Sequence, residues 1–163
     1  MDEPKFSTDD TSFAIDLSDA TQAVKESRFQ DAYNLLSIVL KENPENIDFL
    51  YLASVSARYL KKFEESKKHI EQLLVNAPDM GRAYQELAHL YRDMGNEGKA
   101  VNHYRQACEL NPALLASWNF LYQYFLKNNN QPAADHASSQ IEKLKSLPGP
   151  LLYLSLIHIS EPT

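Results

Sequence analysis

With a single cysteine, Cys108, and only four glycines in 163 residues, the chain cannot staple itself with a disulfide and is too glycine-poor for a collagen-like or low-complexity protein. Cys108 therefore reads as a small buried hydrophobe in a reducing compartment. Basic residues are outnumbered, 16 Lys and Arg against 22 Asp and Glu. The resulting net charge of −6 argues against a general nucleic-acid binder, which needs a clustered surplus of Lys and Arg to neutralise phosphates. Long apolar runs are missing as well. Every apolar cluster is broken by Lys, Glu, Asp or Asn within a few positions, far short of the roughly 18 residues of a membrane span. The first residues, Met1-Asp2-Glu3-Pro4-Lys5, put acids and a proline where a secretory signal carries basic residues and then an apolar run, so the expected location is the cytoplasm. Residues 1–11 have little to bury and are expected to form a loose leader.

What is present is a period. Pro44, Pro78 and Pro112 are separated by 78 − 44 = 34 and 112 − 78 = 34 residues. Between them, apolar residues recur at helical spacing in two blocks per period, such as Tyr84, Leu87 and Tyr91, then Ala100, Tyr104 and Ala107. Each period thus predicts a helical hairpin, with its turn at Lys61-Lys62, at Gly95-Asn96 and at Asn128 to Asn130. A fixed period of this size is the signature of a repeat array, in which each hairpin buries one face on the next.

These residues resemble the tetratricopeptide repeat, whose pattern runs from a large aromatic through Leu-Gly and Tyr to Ala, Phe, Ala and a closing Pro. The third repeat matches best, with Tyr84, Leu87, Ala88, Tyr91, Ala100, Tyr104, Ala107 and Pro112. The fourth has Trp118, Leu121, Phe125 and Ala134, but Tyr122 at the small position and Ser138 at the aromatic one. The second is more degenerate, through Leu50, Ala53, Ser54, Ala57, Ser66, Ile70, Leu73 and Pro78. The first keeps mainly its second helix, through Phe29, Ala32, Leu36, Val39 and Pro44, because Asp16 and Asp19 fall where large apolar residues are expected. The resemblance implies an all-α, right-handed α–α superhelix of about four hairpins, near residues 13–46, 47–80, 81–114 and 115–148. The small residues allow the close helix approach that such hairpins need.

After Ile141, Leu144 and Leu147, the run Pro148-Gly149-Pro150 should end the last helix, and residues 149–153 look like the start of a cut-off further repeat. Residues 154–163, LSLIHISEPT, look like the translation of a library-preparation adapter, which leaves His158 without a functional reading. An apolar helix side at Ile141, Leu144 and Leu147 that lacks its covering repeat predicts self-association through this end.

Chemistry-bearing constellations are sparse. Gly81, Gly95, Gly98 and Gly149 are scattered, with no phosphate-binding loop. His69, His89, His103 and His136 lack metal-ligand spacing. No nucleophile, base and acid can be grouped, so neither cofactor, metal nor catalysis is expected of this chain. The alternating run Lys61, Lys62, Glu64, Glu65, Lys67 and Lys68 reads as a solvated outer face.

The resemblance also implies a concave surface lined by the outward positions of each first helix. These are Asp48, Tyr51, Val55, Arg58 and Tyr59, then Arg82, Gln85, Glu86, His89 and Arg92, then Asn119, Phe120, Gln123 and Lys127. The cations Arg58, Arg82, Arg92 and Lys127 beside Tyr51, Tyr59 and Phe120 suit a protein or peptide partner with acidic and apolar side chains. The competing reading pairs the arginines with Glu86 and Asp93. The Lys and Asn carboxylate clamp of chaperone-binding members is not matched, since Tyr51, Val55, Gln85 and Phe120 take comparable places. Two functions follow: a protein-interaction scaffold, or the non-catalytic N-terminal arm of a bacterial tetratricopeptide-containing sulfotransferase using the sulfate donor PAPS. The second rests on a loose resemblance around Leu147 to Leu152.

Overall fold

The computed structural model describes residues 8–148, with side chains from Asp16 onward. The cut-off repeat and the adapter-like tail expected at 149–163 lie outside the described residues, as does most of the leader. The described part consists of helices joined by short turns: α1 (Thr8–Lys25), α2 (Phe29–Glu42), α3 (Ile47–Tyr59), α4 (Phe63–Asn76), α5 (Gly81–Asp93), α6 (Glu97–Leu110), α7 (Leu115–Lys127) and α8 (Gln131–Lys145). Helix α1 starts at Thr8, inside the span expected to be loose. None of these helices is long and apolar enough to cross a membrane.

The helices pair in sequence, α1 with α2, α3 with α4, α5 with α6 and α7 with α8, and each pair packs on the next. The closest approaches fall on small residues one period apart: Ala32, Ser66, Ala100 and Ala134 are all fully buried. Their missing bulk lets the backbones meet, and the large neighbours Leu36, Ile70 and Tyr104 fill the space one turn on. At the other small position Ala20, Ser54 and Ala88 are fully buried, whereas Tyr122 cannot be and stands half-buried. Core residues run from Ala20 and Val24 of α1, through Ile70, Leu87 and Leu90 at the centre, to Ile141 and Leu144 of α8.

Tyr84 and Tyr91 sit further out than the core place expected for them. They flank the His103 ring at 6.4 and 5.4 Å between centroids, and the Lys99 ammonium lies over Tyr91. Ile141 and Leu144, expected to be wet, are only 7% and 8% exposed, because they belong to the same buried cluster as Trp118, Leu121 and Phe125 of α7.

Every hairpin turn is made the same way. Ser27, Lys61, Gly95 and Asn129 have φ between 55° and 80°, and their numbers differ by 34 each time. In each, the next residue's N–H reaches back five residues to close the helix end, as in Lys62 N to Ala57 O at 2.8 Å and Asn96 N to Tyr91 O at 2.8 Å. Only one of these four left-handed positions is a glycine. No heavy atom lies within 4 Å of where a Cβ on Gly95 would sit, so a side chain there is penalised by backbone conformation alone. Gly95→Ala should lower stability by about 1 kcal/mol, and Lys61→Gly should raise it by roughly 0.5–1 kcal/mol. Urea midpoints of the two variants check this, and shifts of equal sign would mean the turn conformation is misassigned.

Candidate functional site

The helices touch unequally. Helix α1 contacts α3 and α3 contacts α5, while the second helices α2, α4, α6 and α8 approach one another weakly or not at all. Elements that touch across a repeat lie on the inside of a curved stack, so the first helices form the inner face.

A polar network runs through that face. The Arg58 guanidinium, 3% exposed, donates from Nε to Glu86 and from Nη1 to Asp93 Oδ2 at 2.8 Å, tying α3 to the middle and the C-terminal end of α5. Burial alone would lower the Arg58 pKa, but the Glu86 and Asp93 carboxylates outweigh it and hold the guanidinium charged. Arg92 shares Asp93 from the other side, with Nη2 at 3.0 Å from Oδ1. Arg92 Nη1 also donates to the Tyr104 hydroxyl at 3.4 Å, and that hydroxyl is bonded to His89 Nδ1. Which of the two atoms carries the proton follows the imidazole tautomer. Burial, followed by the charges of Arg58 and Arg92, pushes the His89 pKa well below its ordinary value, which keeps the ring neutral. Gln85 accepts from the Ser117 hydroxyl at 2.6 Å, joining α5 to α7.

The residues expected along the groove therefore divide. Tyr51, Val55, Arg58, Gln85, Glu86 and His89 are buried. Tyr59, Arg82, Arg92 and Phe120 are half-buried, and Asp48, Asn119, Gln123 and Lys127 are exposed. The expectation that Arg58 offers its charge to solvent is corrected, because Glu86 and Asp93 take it. The same repeat position changes role along the stack. Tyr51, Gln85 and Asn119 are spaced by 34, as are Val55, His89 and Gln123, yet only the α7 members are exposed. On α3 and α5 these side chains face the following first helix, and among the described residues no such helix follows α7. The cations also divide. Lys127 pairs with Glu97 at 3.2 Å, Arg92 with Asp93, and Arg82 has no ion-pair partner among the described residues.

Sequence reasoning missed Ser117 and Tyr104 as polar partners. Each sits where the repeat pattern asks only for size, and a hydroxyl at such a position is the one available signal. On the outer side, a cavity of about 420 Å³ opens between α6, α7 and α8, walled by Cys108, Trp118, Leu121 and Phe125. Burial there raises the Cys108 thiol to about 12, so it stays protonated and inert, in keeping with the small hydrophobe read from the sequence.

A family profile described as "Tetratricopeptide repeat" matches residues 81–114. No curated protein matches the chain. Among solved structures, "MamA 41-end from Desulfovibrio magneticus RS-1" superposes with a TM-score of 0.66 at 18% identity, over 80% of this chain and 73% of that one. "Crystal structure of MamA" gives 0.67 at 12% identity, over 78% and 75%. These identities speak for the fold alone, a stack of helical repeats. They lend no support to a sulfotransferase origin. Residues 81–114 are thus a tetratricopeptide repeat, and the described helices on either side of it continue the same all-α tetratricopeptide superhelix.

Proposed function

We propose that the chain is a protein-interaction scaffold whose inner face holds a segment of another protein, without catalysis of its own. The hairpins act as repeats near residues 13–46, 47–80, 81–114 and 115–148. The observation that carries this is the mixed, uncovered inner strip at its far end. Asn119 and Gln123 are exposed, Phe120 is half-buried against Tyr104 at 4.3 Å between centroids, and the half-buried Arg92 donates to that Tyr104 hydroxyl at 3.4 Å, with Arg82 half-buried at the other end of α5. An aromatic ring, amides that both donate and accept, and accessible guanidinium groups on a rigid support are what an extended or helical peptide with acidic and apolar side chains would engage. The tyrosines and arginines deeper in the face, Tyr51 and Arg58 among them, hold the strip in place.

Selection of a random-peptide phage library against the chain tests this. Enriched peptides should carry acidic and apolar residues and bind more weakly as salt rises, since exposed charge pairs are screened. They should lose most of their affinity for a variant carrying Asn119→Ala, Phe120→Ser and Gln123→Ala. Equal binding to that variant would place the interaction elsewhere.

A further inference from the structure

The last two hairpins fill the same outer seam differently. In the earlier one Tyr84 and Tyr91 of α5 flank the His103 ring, which is stacked on Tyr91 at 5.4 Å between centroids, and the Lys99 ammonium lies 5.1 Å from the Tyr91 centroid. One period on, Trp118 and Phe125 of α7 stand in the places of the two tyrosines, but Ala133 and Ala137 of α8 stand in those of Lys99 and His103. The aromatic walls are kept, while the two bulky side chains between them are reduced to methyl groups. The cavity of about 420 Å³ between α6, α7 and α8 is what this exchange leaves, and its volume is in the range of small-ligand sites.

The cation of the earlier seam has a counterpart here, since the Arg105 guanidinium of α6 lies 5.1 Å from the Phe125 centroid. The stacked ring has none. His136 meets Trp118 edge-on at 5.6 Å and forms a wall, and the indole N–H already donates to the Pro112 carbonyl at 2.9 Å, so the cavity offers aromatic faces rather than hydrogen bonds. Its mouth carries charge of both signs. Arg105 and Glu109, one turn apart on α6, both line the cavity and are exposed, and neither forms an ion pair among the described residues.

We propose that this cavity binds a free aromatic α-amino acid, with its ring against Phe125 and Trp118, its carboxylate on Arg105 and its ammonium on Glu109. One carbon bearing both charges, a methylene away from a flat ring, complements two opposite charges at the mouth of an aromatic cavity. The same ring inside another protein's chain has amides in place of both charges and leaves Arg105 and Glu109 unanswered. The site lies on the outer side and is independent of the inner strip.

Trp118, the chain's only tryptophan, reports on its own cavity. Its emission, excited where phenylalanine does not absorb, is followed as probes are titrated into the full chain. L-phenylalanine should shift it saturably. Phenylacetate, which keeps the carboxylate, and phenethylamine, which keeps the ammonium, should each bind roughly tenfold more weakly, the loss of one charged hydrogen bond. N-acetyl-phenylalanine amide, the ring as a partner's chain would present it, should bind more weakly still. Cyclohexylalanine, with both charges and no aromatic face, should also lose most of the affinity. Arg105→Gln should weaken phenylalanine roughly tenfold and leave phenethylamine unchanged, and Glu109→Gln should weaken phenylalanine and leave phenylacetate unchanged. Ala133→Lys combined with Ala137→His restores the filling of the earlier hairpin and should abolish binding while the helical circular dichroism is kept.

The site is overturned if phenylalanine leaves the Trp118 emission unchanged, or if the filled variant folds and still binds. Its chemistry is overturned if N-acetyl-phenylalanine amide matches phenylalanine, which would make the ring a partner protein's side chain, or if cyclohexylalanine does, which would make the cavity select volume alone. Equal binding of either singly charged probe, or indifference to both glutamine variants, sinks the amino acid. Should the filled variant fail to fold, the two glutamine variants decide, because both positions are exposed. None of these outcomes touches the inner strip, whose own test rests on Asn119, Phe120 and Gln123.

Discussion

Arg58→Ala should lower the unfolding free energy by about 3–5 kcal/mol, a large share of what a domain of this size has. The loss is larger than the contact alone would give, because the partner left behind cannot retreat to water. Glu86 is 3% exposed and would keep a buried charge that has lost its ion-pair partner. Asp93 is exposed and can rehydrate, so it contributes little to the penalty. Two further variants isolate the cause. Arg58→Lys should recover only part of the stability, since one ammonium cannot reach two carboxylates from a fixed fork. Combining Arg58→Met with Glu86→Leu should recover most of it, because removing both charges removes the desolvation cost as well. Urea unfolding of the three proteins measures this. A single Arg58→Ala variant within about 1 kcal/mol of the wild type would show that the pair is solvated and the seam between α3 and α5 looser than described.

That ion pair marks the boundary of what the amino-acid pattern shows. The period is legible wherever local chemistry repeats: the prolines at 44, 78 and 112, the small residues at 32, 66, 100 and 134, and three of the four left-handed turn positions were all visible as letters. Ser27 was not, because serine is an ordinary surface residue until the turn forces its φ positive. The first helix of the first pair was discounted for Asp16 and Asp19, yet α1 forms. It needs only the stripe Ala20, Ala23 and Val24 for burial, and Asp19 points away from it. The site was less legible than the fold. Repeat position tells which way a side chain leaves its helix, but whether that direction meets solvent or the next helix depends on the neighbour. Tyr51 and Gln85 meet one, whereas Asn119 does not. An arginine reads alike in sequence whether it stands half-buried without an ion-pair partner among the described residues, like Arg82, or is held by Glu86, like Arg58.

The other large effect is expected at Tyr104, the largest fully buried side chain among the described residues, where three helices meet. Its ring lies against Phe120 of α7 and edge-on to His89 of α5 at 5.3 Å, so Tyr104→Ala empties a ring-sized space that α5, α6 and α7 all line. That should cost roughly 3–5 kcal/mol. Tyr104→Phe keeps the ring and removes the hydroxyl between Arg92 and His89, for a loss of about 1–3 kcal/mol. The same contact predicts how stability responds to acid. His89 is held neutral by burial and by the nearby Arg58 and Arg92 charges, so its folded pKa lies below the unfolded value of about 6.5. Above that pH both states are neutral and the contribution is complete. As pH falls below it, the unfolded chain takes up a proton that the folded one refuses, and stability drops toward the folded pKa. His69, also lowered by burial, adds to the same limb. Urea midpoints should therefore be flat from pH 8 to 7 and decline toward pH 5, less steeply in His89→Leu. A midpoint that rises on acidification, or an identical slope in His89→Leu, would mean that the imidazole is not held neutral in the folded protein.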